Sequence, residues 1–236
     1  MTTGADLTAA ALEAVLPGRP LRSYPALLRT GSVASEWAAA GAPDGSLVIA
    51  DYQVSPRGRA DRPWKVTPGR GLGFSLVMRP RLPAKREDWL YTVVLAALAD
   101  VCGAGARIEW PDELRREGAM VAAVGVTARL GAQGVKWAVV DFLLPAAEPP
   151  RGELLAAILG AIEARQASAP SAVLADYDRS CATIGRRVRM RLLGGTGPRV
   201  EGRAVATLED GALLLETAEG LRAPVRPQDV REVEEA

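Results

Sequence analysis

Residues 50–64 read Ala50-Asp51-Tyr52-Gln53-Val54-Ser55-Pro56-Arg57-Gly58-Arg59-Ala60-Asp61-Arg62-Pro63-Trp64. Gly58 stands between two guanidinium groups. Its backbone can approach a ligand closely, and Arg57 and Arg59 offer forked donors on either side. A carboxylate or a phosphate suits such donors. An isolated Arg-Gly-Arg tripeptide is more simply a solvated loop, so the surroundings decide its meaning. Residues 46–50 (Ser46-Leu47-Val48-Ile49-Ala50), opened by Asp44-Gly45, form an apolar run that reads as a buried strand. Residues 72–78 (LGFSLVM) read as a second strand. The loop between them also holds Arg62, Pro56, Pro63 and Pro68, and loops this long inside compact domains are often functional.

Composition narrows the chemistry. The chain has 236 residues, 48% of them hydrophobic, enough for one medium domain with a small appendage. A net charge of +1 gives no electrostatic case for nucleic acid or an anionic membrane. There is no histidine, which excludes Ser-His-Asp and Cys-His catalysis and histidine metal ligation. Cys102 and Cys181 lie far apart, which fits reduced core thiols better than a zinc site or a disulfide framework. No cationic, apolar leader opens the chain and no apolar run approaches spanning length, so it reads as cytoplasmic.

The order strand, Gln-x-x-Gly-Arg-Gly-Arg-x-Gly-Arg-x-Trp, strand is the signature loop of biotin protein ligases, and residues 53–64 resemble it. The resemblance implies a loop folded over biotin and its acyl-adenylate. Arg59 would hold the activated carboxyl and phosphate, Gln53 would lie near the biotin ring, and Arg57, Gly58 and Trp64 would complete the ligand-binding set. Pro56 and Asp61 stand where the pattern has glycine.

The elements around this loop continue the resemblance. Residues 5–16 carry apolar side chains at helical spacing and stop at Pro17-Gly18. A strand is expected near 21–28, with too few residues before it for the winged helix of DNA-binding biotin ligases. Thr30-Gly31-Ser32 opens a helix through about residue 40, with Ser32 a candidate cap. It lines up with the family's Gly-Ser-Thr-Asn element, Val33 and Ala34 replacing Thr and Asn. Residues 86–103 read as a largely buried helix. Trp110-Pro111-Asp112-Glu113-Leu114 resembles the family's Trp-Pro-Asn-Asp-Leu. That likeness places Trp110, Asp112 and Glu113 near the nucleotide and offers oxygen ligands of the kind Mg²⁺ prefers.

Met120-Val121-Ala122-Ala123-Val124-Gly125-Val126 resembles the Lys-Leu-Ala-Gly-Ile-Leu-Val stretch of biotin ligases and the Lys-Ile-Ala-x-x-Gly-Val stretch of lipoyl and octanoyl transferases. Met120 takes the place of the catalytic lysine, matching its bulk but supplying neither charge nor donor. Ala123 takes the place of a ligand-contacting glycine. Lys65 and Lys136 are the candidate substitutes. The next strand, residues 135–144, ends Asp141-Phe142-Leu143-Leu144 where biotin ligases carry Gly-x-Gly-x-Asn.

A helix over 154–167 follows Pro149-Pro150, and Pro170 ends that segment. Short β runs are expected at 188–193, 199–208, 212–216 and 221–225, with Asp210-Gly211 a hairpin turn and residues 232–235 a solvated acidic tail. The resemblance therefore implies an α+β protein. Residues 1–183 would form a class II synthetase-like catalytic domain, a mixed sheet flanked by helices, and residues 184–236 a small SH3-like β-barrel. The implied activity is ATP- and Mg²⁺-dependent activation of biotin, lipoate, octanoate or another small carboxylic acid, with transfer to a carrier-protein lysine. The alternative is a non-catalytic module that binds a ligand or an acyl-carrier domain. Some relatives form a homodimer through their sheets, though nothing in the sequence requires it.

Overall fold

Apolar runs set the central strands of the larger sheet, which comprises β1 (Leu21–Leu27), β2 (Leu47–Gln53), β3 (Leu72–Met78), β4 (Arg107–Glu109), β5 (Glu113–Arg116), β6 (Ala119–Gly131) and β7 (Gly134–Leu144). The computed structural model describes residues 4–66, 69–148, 150–193 and 199–236. Pro68 and Pro149, read above as loop prolines, lie outside them. The order is β1-β2-β3-β7-β6-β5-β4. β1 pairs with β2 in parallel and the remaining pairs are antiparallel, so the sheet is mixed as expected.

Side chains alternate between the two faces of a strand, and both faces are covered. Leu47, Ile49, Phe74, Leu76, Val140 and Phe142 enter the main core, where the Phe74 and Phe142 rings stack 4.4 Å apart. That core also takes in buried residues of α1 (Ala9–Val15), α3 (Trp89–Cys102), α4 (Arg151–Ala167) and α5 (Pro170–Ser180). On the opposite face, Val48, Val77 and Val139 pack against Ala34 and Ala38 of α2 (Thr30–Ala39). By the same alternation, Ser75 and Asp141, paired across β3 and β7, belong to the α2 face. No helix among the described residues is long and apolar enough to cross a membrane.

Several local expectations change. The N-terminal helix is split: a 3₁₀ turn (Ala5–Leu7) precedes α1, whose cap Thr8 accepts from the Ala11 N–H at 3.2 Å. α2 begins at Thr30 with Arg29 in the cap position, so Ser32 lies in the first turn and is not the cap. Pro170 opens α5, because proline's missing N–H costs nothing at the first helical position.

The smaller sheet comprises β8 (Arg187–Leu192), β9 (Val200–Thr207), β10 (Leu213–Glu216), β11 (Arg222–Val225) and β12 (Val230–Glu235). Its order, β11-β10-β9-β8-β12, makes a five-stranded antiparallel sheet that fits the expected SH3-like domain, with no β11–β12 pairing to close a barrel among the described residues. The acidic tail 232–235 keeps its glutamates exposed but is also paired, as part of β12 antiparallel to β8. Buried Val188, Met190 and Leu213 belong to the same core as the larger sheet. Arg226 clamps the two together, reaching Asp88 at 2.7 Å and Glu87 at 2.9 Å.

Candidate functional site

The loop after β2 folds back on itself. The Gly58 N–H donates to Arg62 O at 2.9 Å and the Trp64 N–H to Pro56 O at 3.0 Å. A Cβ at Gly58 would lie 2.5 Å from the Trp64 indole, so only glycine lets the ring close over the loop. The loop backbone in turn rests on β6, where a Cβ on Gly125 would come within 3.3 Å of Gly58 and Arg59. Asp61 has a φ of 56°, in the left-handed region that glycine favours and aspartate tolerates. The exchange of glycine for Asp61 therefore keeps the backbone path.

Arg59 turns inward and is buried. Its Nη1 donates to Pro227 O at 3.1 Å and to Val230 O, both in the C-terminal segment. Its Nε faces Asp112 Oδ1 at 3.3 Å. Burial pushes the Asp112 carboxyl above its ordinary pKa, and the Arg59 charge opposes that shift. Arg59 Nη2 is buried with no hydrogen-bond partner among the described residues, and so is the Nε of Arg57.

Two clefts meet at Arg59. The first, about 440 Å³, lies between the loop, the start of α2 and the α2 face of β6 and β7. On its floor Gln53 Oε1 accepts from the Thr30 N–H at 2.8 Å. Ser75 Oγ lies 2.7 Å from Thr30 Oγ1 and 2.5 Å from Asp141 Oδ1. Burial raises the Asp141 carboxyl to about 6, against the pull of the Ser75 hydrogen bond and the Arg29 charge. The second cleft, about 570 Å³, is lined by Trp110, Asp112 and Glu113 and by Thr183, Arg186 and Val233. Trp110 Nε1 is buried without a partner there. Asp112 and Glu113 do not fit a metal ion in this arrangement: Asp112 faces Arg59, and Glu113 Oε2 takes two donors of Arg115 at 2.8 Å.

The family profile described as "Biotin protein ligase C terminal domain" matches residues 183–227, which hold β8 to β11. The bifunctional ligase/repressor BirA of Bacillus subtilis is 28% identical over 248 residues, covering 89% of this chain and 74% of the relative. The biotin–acetyl-CoA-carboxylase ligase of Mycobacterium tuberculosis is 28% identical over 207 residues, with 75% and 78% covered. The chain is similar to biotin protein ligases over most of its length. The biotin protein ligase from Aquifex aeolicus, solved in complex with biotin and ATP, superposes with a TM-score of 0.70 at 20% identity. That match spans 92% of this chain and 99% of the other, and shows the shared fold.

Against that family pattern, Ser32, Gln53, Arg57, Gly58, Arg59 and Trp64 all line the first cleft. Trp110, Asp112 and Glu113 line the second, together with Arg59. Met120 is half-buried and Ala123 buried, and neither lines either of these two clefts. Lys65 and Lys136 are exposed and line neither of these two clefts. The family motifs did not point to Arg29, Tyr91, Thr127 or Gln228, which also line the first cleft. An aspartate inside the apolar run of β7 was the available signal for a polar pocket on that face.

Proposed function

We propose that the chain binds a small carboxylic acid in the first cleft, activates it with ATP in the second, and transfers the acyl group to a carrier-protein lysine. The observation that carries this reading is Arg59, a buried guanidinium with an unused donor that both clefts share. An acid approaching from one side and an α-phosphate from the other would meet beside it, and a preorganised cation stabilises the charge that gathers there. On this reading residues 1–183 provide most of both clefts and residues 184–236 close over them through Gln228 and Val233. Asp112 and Glu113 act as partners for arginine and not as metal ligands. Met120, where the family pattern has lysine, lies outside both clefts and brings no charge to them, so Arg59 is the charged donor on which this reading depends.

One observation favours a second reading, a non-catalytic module that binds an acid or an acyl-carrier domain and regulates through it. Arg59 is already held by Asp112 and two C-terminal carbonyls, leaving only part of its donor set free. Both readings require an acid in the first cleft. Thermal unfolding with acids and ATP·Mg²⁺, singly and in pairs, tests this. A ligand at about 100 times its Kd adds roughly 2.7 kcal/mol. An acid-dependent rise in Tm that increases with ATP is expected. No rise with any acid would overturn both readings.

A further inference from the structure

The floor of the first cleft carries a carboxylate that, among the described residues, feels the charge of Arg29 but has no ion-pair partner within 4 Å. Asp141 Oδ1 lies at the end of a row of oxygens from Thr30 and Ser75. Each hydroxyl has one proton. Thr30 Oγ1 also lies 3.2 Å from Gln53 Oε1, which accepts from the Thr30 N–H as well. With Asp141 ionised, Ser75 donates to it and Thr30 donates to Ser75; with Asp141 protonated, the row runs from Asp141 through Ser75 and Thr30 to Gln53. The hydroxyls close the row in both states, and what an ionised Asp141 lacks is a cation. Among the described residues Oδ2 takes no hydrogen bond and Asp141 makes no ion pair within 4 Å. Arg29, the neighbouring cation, lies 3.7 Å from Asp61 instead.

Nor is Asp141 a helix cap. A Cβ on Gly31 would fall 2.5 Å from its carboxylate, so the α2 terminus makes room for it. Yet among the described residues no α2 N–H donates to it. A half-buried charge that serves neither a cap nor an ion pair, and that lines a cleft, is placed for a ligand. Arg57, on the loop over the same cleft, has the opposite sign and a buried, unpartnered Nε.

We propose that the first cleft selects a carboxylic acid that also bears a protonated nitrogen, amino or guanidino, which pairs with Asp141 while its carboxylate turns to Arg57 and the unused Nη2 of Arg59. This rests on the reading of that cleft as the acid site, and narrows its substrate class. An uncharged ring would leave Asp141 desolvated and unpaired, and a bound cation removes that cost.

Calorimetric titration of the full chain with γ-guanidinobutyrate and δ-aminovalerate, against butyrate, valerate and biotin, tests the proposal. At least one cationic acid should bind about tenfold or more tighter than its uncharged counterpart and than biotin, as expected for a charge-assisted hydrogen bond. Asp141→Asn, nearly isosteric, should lose that preference while keeping the weak binding of plain acids, and Asp141→Gly should gain affinity for biotin. Biotin binding to the natural chain as tightly as the cationic acids would overturn the proposal. So would a preference that survives Asp141→Asn, or no binding of either cationic acid. ATP–pyrophosphate exchange on the same samples separates the two levels. Exchange with biotin and not with the cationic acids keeps ligase chemistry and removes this inference. Asp141-dependent binding without exchange keeps the inference and removes the chemistry.

Discussion

Asp141 stores unfavourable energy at a place where a ligand could recover it. Its folded pKa of about 6 lies above the ordinary 3.8, so the folded state binds the proton more tightly than the unfolded chain. The sign follows from linkage. The penalty is fully present above about pH 6, falls as pH drops through 6, and is gone below about 4. Asp141→Asn should therefore raise stability at pH 8, by on the order of 2 kcal/mol, and flatten the pH dependence between 4 and 6. Asp88, also raised to about 6 by burial, keeps its own share of that dependence. Urea unfolding at pH 4 and pH 8 measures both effects, and an unchanged or lower stability of the variant at pH 8 would contradict the account. At this scale the sequence was readable where a residue type has few uses. Gly58 between two arginines and Trp64 at its fixed distance found their places around the first cleft. Asp141 was readable only as a departure from a pattern, because its meaning depends on Thr30 and Ser75 from other elements.

The loop and the small sheet are joined through Arg59. Sequence spacing could place this arginine in a ligand loop, but not show that it ends on Pro227 and Val230, 168 and 171 residues away. Arg59→Met would strand Asp112 as a buried unpaired carboxylate, costing about 3 kcal/mol or more. Combining it with Asp112→Asn removes that charge, so a double-mutant cycle should give a coupling of about 1–3 kcal/mol. Simple additivity would show that the pair is not the joint described here. The misread elements share a physical cause. β12 lacks an alternating apolar pattern, and its strand character comes from backbone pairing with β8 and from contacts such as Glu232 with Arg191. Pro170 was read as a stop, yet proline is equally at home in the first turn of a new helix.

At the scale of the molecule, the mixed sheet was legible because apolar runs such as 46–50 and 72–78 follow the period of strands buried on both faces. The meeting of two clefts was not legible, since it depends on how the two sheets dock. That docking brings the first cleft and the polar second cleft to one buried arginine, and the proposed activation of an acid by ATP rests on it. Arg59, shared by both clefts, is the test of whether the site is competent. The most direct measurement is acid-dependent pyrophosphate release from ATP by the natural chain and by the double variant Arg59→Met/Asp112→Asn, using the acid that shifts Tm most. The account predicts release by the natural chain and a loss of about 10²-fold in the variant, the size expected for removing one preorganised charged donor. No release by either protein, with acid and ATP still bound, would contradict activation and leave a regulatory binding module.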